Sequence, residues 1–355
     1  MSEQRILVYR LGSLGDSIMA LPAFHAVRRA FPSARITLLT IKPVESKAAP
    51  VESILGGAGL FDEVLDYSVG TRNPFVLGIL LAKLRSRRFS AAFNLVEYRS
   101  DAATARDRFF FRLAGVRALY GFDLQDRDKH PVPDRQTGLI EWEAARIARR
   151  VEPAARADLA DGRFWDLGLS PFETGKAAEL LSPLAPNQNL VAFSTGTKVQ
   201  AKHWGIEKWK ELSGRLAGHL PDWSAVFFGS AEEAREAEAC MGAWVGRSLN
   251  LCGACNPRVA AAAMARCRFF VGHDSGPMHL AGCAGIPCVA VFSARNLPRQ
   301  WFPRGEGHQI VQNLTDCAGC GLETCTAQGK KCLSGISVDK VERAAFLVVE
   351  RLAVG

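Results

Sequence analysis

The chain has 355 residues, 48% of them hydrophobic and 23% charged, the mix of a folded protein rather than a disordered one. At about 150 residues per domain this length points to two domains, and 44 Lys and Arg against 36 Asp and Glu leave a net +8. That excess suggests an anionic partner, whether nucleic acid, an acidic lipid surface or a phosphorylated small molecule, without choosing among them. No apolar run reaches the roughly 18 residues that a membrane span needs, and MSEQRILVYRLGSLGD lacks the apolar stretch of a signal peptide. A cytosolic, reducing location is therefore expected, where the ten cysteines would not form a disulfide framework.

In chain order the pattern is strand, glycine turn, helix, repeated. Ile6–Arg10 reads as a strand, Leu11–Asp16 as a turn and the stretch through Ala30 as a helix. Arg35–Thr40 and Ala91–Val96 read as strands, Leu77–Leu84 and Ala102–Ala114 as helices, and Asp123–Gln136 as a polar loop. A composition shift between about 165 and 188 sets the predicted boundary, with domains 1–175 and 176–355. Beyond it, Leu190–Ser194, Trp223–Phe228, Phe269–Val271 and Pro287–Phe292 read as strands. Ile206–Leu216, Glu232–Cys240, Val259–Ala265, Pro277–Ala284 and Val338–Leu352 read as helices. Alternation of this kind predicts an α/β protein of two Rossmann-like domains with parallel sheets.

Three segments have the composition of chemical sites. FFVGHDSGPMHLAG, Phe269–Gly282, runs a buried strand into a helix that opens near Pro277, where free amides and the helix dipole favour an anion. There Ser275 and Gly276 would let a diphosphate approach the backbone, Asp274 would cap the helix or accept from a sugar hydroxyl, and His279 would face the same space. STGTKVQAKHW, Ser194–Trp204, offers hydroxyls, a glycine and two lysines directly after a strand, with Lys202 as counter-charge to a diphosphate. A solvated loop is the alternative. RLGSLGD, Arg10–Asp16, lacks the G-x-G-x-x-G order, and the Asp16 carboxylate would repel a phosphate. The positive end of a helix favours such a carboxylate, which suits either a helix cap or a general base.

Together these segments resemble glycosyltransferase family 9, the ADP-heptose:lipopolysaccharide heptosyltransferases. The resemblance rests on ILVYRLGSLGDSIMALPAF, the KHW loop, the GSAEE turn and VGHDSGPMHLAGCAGIPCVAVFS. It implies a GT-B fold, two facing Rossmann-like domains with the sugar nucleotide held mainly by the second. It also implies an inverting transfer of heptose from ADP-heptose to the lipopolysaccharide inner core, on an anionic glycolipid acceptor at the inner membrane surface. Asp16 matches the catalytic base and Lys202 the residue that contacts the diphosphate. Asp274, Ser275, Gly276 and His279 match the donor motif, and Glu233 or its neighbour Glu232 the ribose ligand. Thr195 and Thr197 lie in the phosphate loop. No cofactor or catalytic metal is implied. Competing readings are transfer to a protein acceptor, a sugar-nucleotide epimerase and a cysteine-rich nucleic-acid-binding protein.

The remaining signals are clustered cysteines and arginines. Cys240, Cys267, Cys283 and Cys288 read as small core residues. Cys317, Cys320, Cys325 and Cys332 form C-x2-C-x4-C-x6-C, read as reduced thiols folding a loop, with a structural zinc or iron site as the alternative. Cys252 and Cys255 make a lone CxxC, and Asp126–Arg127–Asp128 is expected to be solvated surface. Arg85, Arg87, Arg88, Arg99, Arg106, Arg108, Arg112 and Arg117 crowd the first domain, suiting an anionic lipid-anchored acceptor. Aromatic residues do not interleave with them as nucleic-acid binding would require.

Overall fold

The computed structural model describes residues 3–42, 49–68, 70–71, 73–133, 138–184 and 188–354. The chain divides into two compact units, Met1–Gly168 and Leu169–Gly355. The division falls earlier than the 175/176 boundary read from composition, because the helix that starts at Pro171 packs into the second unit.

In the first unit the elements are β1 (Arg5–Tyr9), α1 (Leu14–Ala30), β2 (Arg35–Lys42), α2 (Val51–Leu55), β3 (Glu63–Ser68) and α3 (Pro74–Arg87). They continue with β4 (Ala91–Asn94), α4 (Asp101–Leu113), β5 (Ala118–Tyr120), α5 (Asp126–Lys129) and α6 (Glu143–Arg149). The sheet order is β3-β2-β1-β4-β5, and every pairing is parallel. Buried on both faces, β1 and β4 are short apolar runs rather than alternating ones. Leu7, Tyr9 and Leu39 from the sheet meet Leu80 and Leu84 of α3 and Phe111 of α4 in one cluster.

The second unit runs α7 (Pro171–Leu181), β6 (Asn189–Ser194), α8 (Ile206–His219), β7 (Trp223–Phe227), α9 (Ala234–Met241), β8 (Ser248–Asn250) and α10 (Pro257–Met264). Then come β9 (Phe269–His273), α11 (Gly276–Cys283), β10 (Cys288–Phe292), β11 (Gln309–Gln312), α12 (Lys331–Ser334) and α13 (Val338–Val354). Its sheet order is β11-β10-β9-β6-β7-β8, again all parallel. Phe193 stacks on Phe227 at 4.9 Å within a core that also holds Trp209, Val271, Val291 and Val341.

The sequence reading passed over the short or half-exposed elements β3, β5, β8, β11, α2, α6, α7 and α12. It also needs one correction. Asp126–Arg127–Asp128 lies in α5, where Asp126 and Arg127 are exposed as expected, but Asp128 is buried and its Oδ1 accepts from Arg149 Nε at 2.8 Å. Residues 134–137 of that stretch lie outside the described residues.

Glu173 fixes α7 to the second unit. Its carboxylate accepts from the amide and hydroxyl of Ser170 at 2.7 and 2.9 Å, and Arg258 of α10 grips it with two nitrogens, Nη2 at 3.0 Å. Arg258, seconded by Ser170, holds the Glu173 pKa down to about 2 from 4.5. That stabilisation is present above the ordinary carboxylate range and is lost as pH falls toward 2. Glu173→Gln should cost about 1–2 kcal/mol, less than breaking a fully buried pair because Glu173 keeps some solvent contact. The variant should also lose less stability between pH 4.5 and 2 than the parent does. Denaturant midpoints against pH check both expectations.

Candidate functional site

In an open parallel sheet the connections leave a crevice at the carboxyl ends of two neighbouring strands, where the chain order reverses. In the first unit that point lies between β1 and β4, and in the second between β6 and β9. The candidate residues from the sequence gather at these two places.

At the second of these points, β9 ends in His273, the most thoroughly buried polar group of the site. Its Nε2 accepts from the Trp204 backbone N–H at 2.9 Å and from the Trp209 indole N–H at 3.1 Å. With Nε2 an acceptor, the proton sits on Nδ1, which faces the Gly196 carbonyl at 3.4 Å. Burial, assisted by His203, lowers its pKa to about 3, so the ring is neutral. One imidazole thus joins the end of β9 to both ends of the 194–204 loop.

That union places Lys202 on Asp274. The Lys202 Nζ lies 2.8 Å from Asp274 Oδ2 and donates to the Asp274 carbonyl at 3.1 Å. An ammonium has three protons and the Asp274 carbonyl is the acceptor this one bonds, so donor capacity remains for a ligand. Asp274 is not the helix cap. Ser275 holds the N-cap position of α11 and makes no side-chain cap bond, and Gly276 opens the helix with Pro277 in its first turn. Amides at such an opening point out of the helix and favour an anion. Lysine and helix opening therefore form one cationic corner.

The other predicted donor residues are placed unequally. Glu233 accepts from the Ser230 amide at 2.7 Å, and its carboxyl group lies against Gly196, where a Cβ would stand 2.3 Å from Glu233 Cδ. Only glycine at 196 allows this approach, so Glu233 sits beside the 194–204 loop. Thr197 Oγ1 accepts from the Val199 amide at 3.4 Å. Thr195 is buried with its hydroxyl against the Cys240 thiol, leaving only its backbone to the loop. His279 is also buried, its ring edge-on to Trp301 at 6.3 Å.

In the first unit, Asp16 occupies the third position of α1. Its Oδ2 accepts from the Ser13 amide at 2.6 Å and the Ser13 hydroxyl at 2.7 Å. Gly12 has φ +137°, and a Cβ there would stand 2.6 Å from Asp16 Cβ, so the turn needs glycine to seat the carboxylate. Oδ1 faces Arg10 Nη2 at 3.9 Å. Arg10 is buried and also donates to the carbonyls of Asp16 and Leu95.

Sequence reasoning missed the charged groups around this turn. Glu97 follows β4, and loss of water around it, with the Asp16 and Glu143 charges nearby, raises its pKa. Arg146 pairs with Glu143 at 2.7 Å, both buried, and Arg150 donates to the carbonyls of Val96 and Asp128. Burial, with Arg146 beside it, lowers the Arg150 pKa to about 10. The crevice of the first unit is thus a lattice of guanidinium and carboxylate groups. The signal was present in EAARIARR, whose arginines recur at helical spacing beside apolar positions.

The cysteine loop has a structural task. Among the described residues no three His, Cys, Asp or Glu side chains converge as a metal-holding group. Cys320 is exposed and Cys317, Cys325 and Cys332 are half-buried. The loop is bonded to the lysine-bearing turn. Ala201 N–H donates to the Glu323 carbonyl at 3.0 Å, Cys325 N–H to Gln200 Oε1 at 2.9 Å, and Lys330 Nζ to the His203 carbonyl at 3.0 Å. Burial raises the Cys252 thiol to about 12 and Cys255 to about 11, so neither is a thiolate at neutral pH.

A family profile described as glycosyltransferase family 9 (heptosyltransferase) matches residues 102–331, well over half of the chain. The chain belongs to glycosyltransferase family 9. It is 27% identical to lipopolysaccharide heptosyltransferase 1 of Pseudomonas aeruginosa over 343 residues, 91% of this chain and 88% of that protein. The solved family 9 glycosyltransferase of Veillonella parvula superposes with a TM-score of 0.71 at 20% identity, covering 98% of each chain. The ADP-heptose lipopolysaccharide heptosyltransferase II of Escherichia coli gives 0.67 at 19% identity, covering 98% of this chain and 99% of the other. The fold of this family 9 enzyme is GT-B, two Rossmann-like α/β units, and its class is glycosyltransferase.

The neutral His273 of the enzyme makes its stability pH-dependent in a defined direction. Between about 3 and 6.5 the unfolded chain holds a proton at this position that the folded chain does not, so stability falls as pH falls through that window. His308, lowered by burial in the same unit, adds a slope of the same sign. In His273→Gln the amide oxygen still accepts from the two tryptophans, and the slope of unfolding free energy against pH should become shallower by up to one proton.

Proposed function

We propose that this enzyme moves heptose, with inversion, from ADP-heptose to a sugar hydroxyl of the lipopolysaccharide inner core, an anionic glycolipid acceptor at the cytoplasmic face of the inner membrane. The observation that carries the donor side is the Lys202–Asp274 pair at the opening of α11, where a lysine proton and helix amides face one anion. ADP-heptose is the donor that the name of the E. coli enzyme gives, and the Pseudomonas relative bears the name of a lipopolysaccharide heptosyltransferase.

In this reading the second unit holds the sugar nucleotide. Glu233 accepts from the ribose hydroxyls beside Gly196, Thr197 lies in the phosphate loop, and the diphosphate lies on Lys202 and the amides around Ser275 and Gly276. The buried residues Thr195 and His279 support these groups from beneath. Asp16 in the first unit is the base. As the acceptor oxygen bonds to the anomeric carbon, its proton passes to the Asp16 carboxylate. The bond from that carbon to the diphosphate oxygen breaks, and ADP leaves with the electron pair, its charge met by Lys202 and the α11 amides. No metal cofactor is required by this scheme.

The role of Asp16 as a cap and its role as a base separate on one variant. Asparagine caps nearly as well as aspartate, so Asp16→Asn should hold its melting temperature and ADP affinity. Its kcat should fall by about 10²–10⁴. Lys202→Ala should weaken ADP binding and slow transfer together. Mass spectrometry of the product formed from ADP-heptose and inner-core acceptor reads both. An Asp16→Asn enzyme with near-normal turnover would remove the base and the mechanism with it.

Transfer should also survive EDTA, because lysine and helix amides meet the leaving charge. Loss of turnover restored by magnesium or manganese would overturn that part of the scheme.

A further inference from the structure

The outer sides of α3 and α4 carry apolar side chains that no other part of the described chain covers. Phe75, Val76 and Ile79 of α3 are 75%, 37% and 44% exposed, and Phe109 and Leu113 of α4 are 65% and 45% exposed. Phe75 and Ile79, like Phe109 and Leu113, stand at i and i+4, and Val76 lies three residues before Ile79. The inward sides of the two helices share one cluster, Leu80 and Leu84 with Phe111 and Ala114, against Leu7, Tyr9 and Leu39 of the sheet, and Val76 stands at their margin. Both helices therefore cover the same side of the sheet and turn their apolar residues outward. A soluble surface places such residues singly; five of them on two neighbouring helices mark an interaction site.

The same segment concentrates the charge. Residues 74–117 contain nine Lys and Arg against three Asp and Glu, six of the eight net positive charges of the chain. Lys83 continues the line of Phe75 and Ile79 at the next i+4 position. Among the described residues, Lys83, Arg85 and Arg88 are exposed and take part in no ion pair. Beside Phe109, Thr104, Arg108 and Arg112 line an open hollow of about 600 Å³ together with Asp101 and Asp123, the last paired with Arg108, so Arg112 is its basic group in no ion pair among the described residues.

We propose that the α3–α4 face is a docking surface for an anionic phospholipid bilayer, with Phe75, Ile79 and Phe109 entering the headgroup layer and the flanking lysine and arginines meeting lipid phosphates. A bulky apolar tip inside a basic ring is the chemistry of an interfacial anchor. A second copy fits poorly, since two such faces would bring like charge together. Single-stranded nucleic acid fits poorly because Val76, Ile79 and Leu113 offer no ring on which a base could stack. The inference deepens the glycolipid reading above by naming the surface that would meet the membrane, and its test uses no acceptor sugar.

The test is co-sedimentation of the full-length enzyme with vesicles of phosphatidylethanolamine and phosphatidylglycerol, compared with pure phosphatidylcholine vesicles. The wild type should pellet with the first and not the second, and added salt should weaken binding, each basic contact being worth about fivefold. Phe75→Ser with Ile79→Ser should reduce binding at least tenfold, and Phe109→Ser with Leu113→Ser should do so independently. These exposed changes should leave melting temperature unchanged, along with kcat/KM on a delipidated, water-soluble acceptor. Equal binding to both vesicles, binding to neither, or full binding by both double variants overturns the proposal. So does a concentration-dependent dimer in light scattering that either double variant dissolves, since the face would then belong to a second copy. If the wild type binds anionic vesicles yet transfers no heptose to the soluble acceptor, the proposed function fails and the docking surface stands.

Discussion

The second unit is organised around one neutral imidazole. His273 lies at the end of a central strand, and its Nε2 takes both the Trp204 amide and the Trp209 indole. Replacing that acceptor by a charged ring would put two donors against a proton and bury an uncompensated charge. While it stays neutral, the turn carrying Lys202 is pinned over the opening of α11 and the ammonium falls on Asp274. The cationic corner is a consequence of this buried bond as much as of the lysine itself. Removing Lys202 would delete a charge, whereas removing the acceptor at 273 would release the loop that aims it.

The first unit is built on the opposite principle. Its crevice holds several charges in contact, Arg10 with Asp16, Arg146 with Glu143, and Arg150 with backbone carbonyls, instead of one neutral hub. Asp16 is fixed by the Ser13 amide and hydroxyl through a single oxygen. The other oxygen faces Arg10 at 3.9 Å, beyond hydrogen-bond distance.

Much of this was legible in sequence because it is local. RLGSLGD and VGHDSGPMH each place strand, turn and helix start within a few residues, so the chemistry at their tips follows from spacing. Errors came where a single residue decides the direction of a side chain. Thr195 directly follows β6, and its hydroxyl is buried against the Cys240 thiol, a direction that spacing alone does not give. Asp274 and Ser275 are neighbours, and only the backbone shows that the serine is the cap. The arginines of α6 recur at helical spacing, with Glu143 three residues before Arg146, but the partner of Arg150 at Val96 and the charges around Glu97, those of Asp16 and Glu143, lie tens of residues away. The edge strands β5 and β8 have three residues each, too few for periodicity to register.

The bonds that complete the donor corner span great lengths of chain. Trp204 and His273 are 69 residues apart, and Lys202 and Asp274 are 72. Closing loops of that size is entropically slow, and here it coincides with the parallel pairing of β6 and β9. On the proposed reading, no partly folded form lacking that pairing would have a diphosphate site to offer. A nucleotide ligand bound there would engage only the finished sheet, drawing the population of open forms down by mass action and acting as a clamp on the fold of that unit.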